Sequence, residues 1–153
     1  MIKFKSINTK SLNSNEILKI LKIKDSYWKF GLKSQKKYFI ENSKSNDIHN
    51  CLMYKNKLIG YNFLKYSYFD YKKKRIKYLH FDTLILDKKF RGKNLSTIFM
   101  NYINLIIQKK RKSSILYCDK NKIAFYRRFN WKILYSSYEL KIKRKKIKLC
   151  YNM

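Results

Sequence analysis

Leu84-Ile85-Leu86-Asp87-Lys88-Lys89-Phe90-Arg91-Gly92-Lys93-Asn94-Leu95-Ser96-Thr97 is the stretch whose reading decides the fold. An apolar strand ends, a basic loop with a single glycine follows, and a helix begins. From there Leu95, Ile98, Phe99, Tyr102, Ile103, Ile106 and Ile107 recur at helical spacing, the clearest amphipathic pattern in the chain. The helix runs into Lys109-Lys110-Arg111-Lys112, which suits the negative end of its dipole. Its first N–H groups have no intrahelical acceptor, so a strand–loop–helix junction of this kind can hold a pyrophosphate. The loop lacks the Gly-Lys-Ser/Thr of a P-loop and the three glycines of a dinucleotide fingerprint. On physics alone the same residues also fit a plain basic loop capped by Asn94 or Ser96.

Working outward, residues 2–7 read as a strand. A helix is predicted from about Asn15, capped by Ser14, with Ile17, Leu18 and Leu21 on one face and Tyr27-Trp28 at its end. Residues 34–42, with Tyr38, Phe39 and Ile40, read as a second helix. Residues 49–54, 58–68 and 75–86 are strand candidates joined by turns at 55–57 and 70–74, which predicts an antiparallel meander. Beyond the main helix, 114–118 reads as a short buried strand. Residues 121–129 read as a short helix with Phe125 and Phe129 on one stripe. Residues 131–140 and 141–151 read as two final, paired strands. The element order predicts an α/β (α+β) three-layer fold. Its central sheet is mixed but mostly antiparallel, with helices on both faces and one strand–helix–strand crossover. At 153 residues the chain is read as one domain, 1–153.

Charge suggests a different answer. Lys+Arg number 38 against 9 Asp+Glu, a net charge of +29, which fits a nucleic-acid binder. Yet there are 32 Lys and only 6 Arg, with no Val, no Pro and one Ala. Lys, Asn, Ile, Tyr and Phe have codons rich in A and T, so an AT-rich genome accounts for this composition without selection for charge. Nucleic-acid readers lean on the planar fork of Arg instead. The composition therefore argues against a nucleic-acid partner. The runs Lys72-Lys73-Lys74-Arg75, Lys109-Lys110-Arg111-Lys112 and Lys143-Arg144-Lys145-Lys146 read as solvated turns or strand ends. No apolar run suits a membrane helix, and Met1-Ile2-Lys3-Phe4-Lys5 opens no signal peptide, so a cytoplasmic protein without a membrane partner is expected. Cys51, Cys118 and Cys150 lack metal-ligand spacing and read as reduced thiols, with no metal expected.

Arg91-Gly92-Lys93-Asn94-Leu95-Ser96 resembles the Arg/Gln-x-x-Gly-x-Gly/Ala signature of the GNAT superfamily of acyl-CoA-dependent N-acyltransferases. Asn94 and Ser96 stand where that family has small, glycine-like residues. Asn is the side chain best suited to positive φ, and Ser is small. Downstream, Phe125-Tyr126-Arg127-Arg128-Phe129-Asn130-Trp131 resembles the family's Phe-Tyr-x-Lys/Arg-x-Gly-Phe/Trp segment, with Asn130 in place of Gly. The element order agrees over nearly the whole chain. The resemblance implies a GNAT-like fold and transfer of an acyl group, most simply acetyl, from acetyl-CoA or another acyl-CoA. The acceptor would be a primary amine of a small molecule, an amino sugar or a protein.

The resemblance also implies residue roles. Backbone groups of Leu84, Ile85 and Leu86 would hold the pantetheine arm and polarise the thioester carbonyl. The amides of Arg91, Gly92, Lys93, Asn94, Leu95 and Ser96, with Thr97 beside them, would hold the pyrophosphate. Asn121 is carried over as a cofactor contact, although it lies closer to the motif tyrosine than is usual. Tyr126 would protonate the departing thiolate; a phenol, with a pKa near 10, keeps its proton at neutral pH. Its other reading is a packing aromatic.

The base is open between His80 and Asp82, directly or through water. Strand alternation puts His80, Asp82, Leu84 and Leu86 on one face. A hydrogen-bonded structural carboxylate is the other reading of Asp82. His49 reads as structural. Tyr27-Trp28-Lys29-Phe30 and Gln35 fall where the family forms part of its acceptor cleft. Two further functions remain at this level, a basic nucleic-acid-binding module and a CoA-binding domain without catalysis. The sequence leaves monomer and homodimer equally open.

Overall fold

The structure is a computed structural model that describes residues 1–134 and 147–151. The chain opens with β1 (Ile2–Asn8), α1 (Ser14–Tyr27) and α2 (Leu32–Asn42). The meander follows as β2 (Ile48–Tyr54), β3 (Lys57–Tyr71) and β4 (Lys74–Leu86). Then come α3 (Leu95–Lys109), β5 (Ser114–Cys118), α4 (Ile123–Arg127), β6 (Lys132–Ile133) and β7 (Ile147–Tyr151). The seven strands form one sheet in the order β1-β2-β3-β4-β5-β7-β6. Among the described residues only β4 and β5 pair in parallel, across the α3 crossover; the other pairs are antiparallel. This is the mixed, mostly antiparallel sheet expected from the element order.

Local chemistry explains where the helices start. Asn13, rather than Ser14, caps α1. Its Oδ1 accepts from the Glu16 N–H at 2.9 Å, and the Glu16 carboxylate accepts from the Asn13 N–H at 3.0 Å. Glu16 lies three residues after Asn13, so only Asn13 can close this reciprocal box. α2 begins two residues earlier than expected because Gly31, at φ 83, turns the chain into it. The Asp25 carboxylate accepts the Gly31 N–H at 2.7 Å and fixes that turn.

Two cores lie on opposite faces of the sheet. On one, Leu95, Phe99, Met100, Ile103 and Ile107 of α3 pack on Leu52, Ile59, Leu64, Leu79 and Phe81, with Tyr126, Phe129 and Trp131 closing the end. Burying each such side chain stabilises the fold by about 2 kcal/mol. Gly60 lets α3 approach closely: a Cβ there would stand 2.9 Å from the Leu52 Cβ and 3.2 Å from the Phe99 ring. On the other face, Ile20, Leu21 and Ile23 of α1 and Phe39 of α2 cover Cys51, Tyr61, Phe63 and Ile85. His49 is fully buried at this second core, bridging the Thr9 Oγ1 and the Tyr61 hydroxyl, each at 2.8 Å. Burial, helped by the charge of Lys24, pulls its pKa down to about 4, so it is a neutral, structural imidazole.

Of the two expected final strands, the described parts pair antiparallel, Lys132 with Cys150 and Ile133 with Leu149. Residues 135–146, with the run Lys143-Arg144-Lys145-Lys146, lie outside the described residues. Among the described residues no helix is long and apolar enough to cross a membrane. Among them, too, no three His, Cys, Asp or Glu side chains gather as metal ligands would.

Candidate active site

The site is built on the second half of β4. Parallel pairing with β5 covers only Leu79–Ser114, His80–Ile115 and Phe81–Leu116. β4 continues to Leu86 and β5 to Cys118, so the strands part beyond Phe81. Among the described residues, the β5-facing edge of β4 from Asp82 to Leu86 has no strand partner. Unpaired backbone groups on such an edge offer hydrogen bonds to an extended ligand.

A bulge coincides with this parting. On β3, Phe63 pairs with Thr83 and the next residue, Leu64, with Phe81, so Asp82 is the extra residue. The bulge changes which face each side chain takes. Leu84 and Leu86 join the α3-side core with Leu79 and Phe81, whereas Ile85 joins the α1–α2 side. The simple alternation expected for His80, Asp82, Leu84 and Leu86 is therefore broken at Asp82. His80 and Asp82 lie on the α1–α2 side, and Leu84 and Leu86 on the other. Asn62, fully buried in β3, pins the bulge by donating Nδ2–H to the Thr83 carbonyl at 2.8 Å. Asn50 in turn donates to the Asn62 Oδ1 at 2.8 Å.

On the α3 side lies a groove of about 280 Å³ lined by Tyr27, Leu84, Leu86, Arg91, Gly92, Ser96, Phe99 and Phe125. The loop at its mouth is held by its own chemistry. The Asp87 carboxylate accepts the Lys89 N–H at 3.0 Å and pairs with the Lys57 Nζ at 2.6 Å. The Arg91 Nε donates to the Leu86 carbonyl at 3.3 Å. Gly92 and Asn94 both adopt positive φ, 76 and 56. Asn130, which also replaces a motif glycine, does so at φ 64. Asn94 makes no side-chain cap; the first intrahelical donor of α3 is the Ile98 N–H, which reaches the Asn94 carbonyl at 3.3 Å. The N–H groups of Leu95, Ser96 and Thr97 are thus left for another acceptor. Lys93 is exposed, and the Leu95 side chain belongs to the core. Asn121 is exposed on the short turn Lys120–Lys122 after β5.

Tyr126 is buried at the end of the α3-side core, with its ring edge-on to Phe81 and Phe125 at 5.9 and 5.1 Å between centroids. Burial raises its pKa well above that of a free phenol, with smaller contributions from Cys118 and Tyr27. It keeps its proton throughout the physiological range. Arg127 and Arg128 are exposed, and the Arg128 guanidinium stacks over the rings of Phe125 and Phe129.

Across the sheet is a second cleft of about 470 Å³, lined by Lys24, Trp28, Phe30, Ser34, Gln35, Tyr38, Asp82 and Thr83. Gln35 is buried and donates to the Trp28 carbonyl at 2.8 Å, fixing the end of α1 against α2. Tyr27 faces the groove and Trp28 the cleft, so the end of α1 separates the two. The Asp82 carboxylate lies 3.1 Å from the Lys65 Nζ and 3.6 Å from the His80 Nε2. Burial alone would raise its pKa; His80 and Lys65 together outweigh that and hold it well below the usual carboxylate range. Lys24, Lys65, Asn62 and Thr83 belong to no motif in the sequence. Only Asn62 carried a signal, as a lone amide between Tyr61 and Phe63 in an aromatic strand.

No protein-family model matches the chain, and no curated protein matches it in sequence. Solved structures do match in fold. Escherichia coli ElaA is 13% identical with a TM-score of 0.72, covering 98% of this chain and 99% of that one. An acyl-CoA N-acyltransferase from Pseudomonas aeruginosa is 12% identical with a TM-score of 0.72, over 98% and 99% of the two chains. The PaiA N-acetyltransferase from Thermoplasma acidophilum, in complex with coenzyme A, is 12% identical with a TM-score of 0.63, over 100% and 99%. At such identity the likeness is one of fold, and the fold is the GNAT-like one that the sequence motifs implied.

Proposed function

We propose that this chain is an acyl-CoA-dependent N-acyltransferase, with acetyl-CoA as the simplest donor and a primary amine as acceptor, and that residues 1–153 act as one domain. The parting of β4 from β5 beside the free N-terminus of α3 carries this reading. An unpaired strand edge suits the amides of a pantetheine arm, and a helix N-terminus behind a positive-φ loop suits a pyrophosphate. Leu84, Ile85 and Leu86 serve through their backbone, and residues 91–97 hold the phosphates. Asn121, exposed at the exit of β5, is a further cofactor contact. The fold shared with acyl-CoA N-acyltransferases supports the same assignment.

The reaction needs a neutral amine, a polarised carbonyl and a protonated leaving sulfur. The amine approaches from the α1–α2 cleft while the thioester reaches the gap between β4 and β5 from the other side. As the C–N bond forms and the C–S bond breaks, the amine gives up one proton and the sulfur takes another. Tyr126 supplies the sulfur's proton and is reprotonated from solvent. His80 accepts the amine's proton and returns it to solvent. Asp82, held ionised, is a weak base at neutral pH; its role is to stabilise the imidazolium that forms on His80.

The test is release of free thiol from acetyl-CoA across a panel of primary amines. Amine-dependent release is expected. Release no faster than spontaneous hydrolysis with every amine, and no saturable acetyl-CoA binding, would overturn the proposal.

A further inference from the structure

The α1–α2 cleft holds a positive charge that its own residues do not balance. Lys24 sits on the inner face of α1 and is only 5% exposed. Among the described residues its ammonium has no ion-pair or hydrogen-bond partner; it lies over the ring of Tyr38, 4.5 Å from the centroid. Among the described residues Asp82 is the one carboxylate lining the cleft, and Lys65 and His80 already engage it. Two ammonium groups therefore face one carboxylate. Burial lowers the Lys24 pKa against the pull of Asp82, which marks the ammonium as poorly compensated in its site. A desolvated, unpaired ammonium is costly unless something outside the fold completes it. The rest of the wall is aromatic at Trp28, Phe30 and Tyr38 and polar at Ser34, Gln35 and Thr83.

We propose, building on the acyltransferase reading, that the acceptor is an amine bearing an anionic group. The anion, a carboxylate or a phosphate, pairs with Lys24. The apolar or aromatic body of the acceptor lies against Trp28, Phe30 and Tyr38, which leaves its amine to face His80 and Asp82. Polyamines and aminoglycosides, with many positive charges, meet repulsion from Lys24 and Lys65 and are excluded. A buried charge pair of this kind discriminates by about tenfold or more.

The experiment is calorimetry on the full chain with coenzyme A present, so that binding is read without turnover. The probes are phenylalanine, its phosphonate analogue and 2-phenylethylamine, which share one aromatic body and differ in the anion. Phenylalanine or the phosphonate is expected to bind about tenfold tighter than 2-phenylethylamine, and the tighter of the two identifies the anion class. Lys24→Met is expected to abolish the difference and Lys24→Arg to preserve it. Coenzyme A binding on the opposite face reports that each variant is folded. Equal affinities, a preference for 2-phenylethylamine, or no saturable binding of either anionic probe at millimolar concentration would overturn the proposal. So would an unchanged preference in folded Lys24→Met. Acyl transfer to amines without any anion preference would sink the acceptor class and leave the acyltransferase standing. Anion-selective binding without thiol release would do the reverse.

Discussion

The two sides of β4 are built from different materials. The α3-side groove is made mainly of backbone: an unpaired strand edge, a loop with two positive-φ residues and the free amides of α3. Five of the eight residues that line it come from one continuous stretch, residues 84–97, and Tyr27, Phe99 and Phe125 close it from elsewhere. The α1–α2 cleft is made of side chains drawn from α1, α2, β3 and β4, sequence neighbours only in part. The difference matches the two ligands proposed. A cofactor of fixed shape can be held by main-chain geometry, which tolerates changes of side chain. An acceptor is chosen by side chains, which vary without disturbing the cofactor.

Four predictions press on this contrast, the largest effect first. Tyr126→Phe should lower kcat by about 1,000-fold with the KM for acetyl-CoA nearly unchanged, as removal of a general acid does. A thiol-release assay giving normal kcat would take the acid away from the groove side. Acid tests the other face alone. Between pH 6.5 and about 4 the unfolded chain protonates His49 while the folded chain does not. Stability therefore falls as pH drops through that window, by at most about 3 kcal/mol, and gains nothing from this group above it. Melting temperatures of the wild type and His49→Gln should converge toward acid, since only the wild type carries this loss; parallel curves would contradict it. Third, His80→Gln should lower kcat by roughly 30-fold at neutral pH, with recovery at higher pH as the free amine loses its proton unaided. Asp82→Asn should cost less, and a larger loss there than in His80→Gln would exchange the two roles. The smallest effects belong to the loop. A Cβ at Gly92 meets nothing within 4 Å, so Gly92→Val acts only through its φ of 76. Acetyl-CoA affinity should fall about tenfold, whereas Asn94→Gly should leave it unchanged or slightly tighter. Titration calorimetry separates the two, and equal losses would mean that the side chains, not the backbone, hold the phosphates.

Legibility in the sequence followed the same divide. The groove was readable because strand, loop and helix are contiguous and each has its own periodicity. Asn94 and Asn130 were readable as stand-ins for glycine because asparagine tolerates the left-handed region, where both are found. The cleft was readable only in outline, through Trp28, Phe30 and Gln35. Lys24 looked like one lysine among 32. Its burial follows from how α1 rests on α2 and the sheet, and helical spacing alone assigns no partner to that face. The alternation along β4 failed at Asp82 because a bulge adds a residue without changing any residue's identity. Only the register against β3 reveals it.

The sequence by itself determined the order of elements, the crossover through α3 and the positive-φ loop, because each rests on local periodicity or backbone preference. Tertiary structure alone decided three things. β4 and β5 part after Phe81, Asp82 shares a face with His80 rather than with Leu84, and the Lys24 ammonium has no ion-pair partner among the described residues where it lies beside Trp28, Phe30 and Tyr38. These depend on strand register and on desolvation by distant segments, and neither quantity is encoded in any one stretch of the chain.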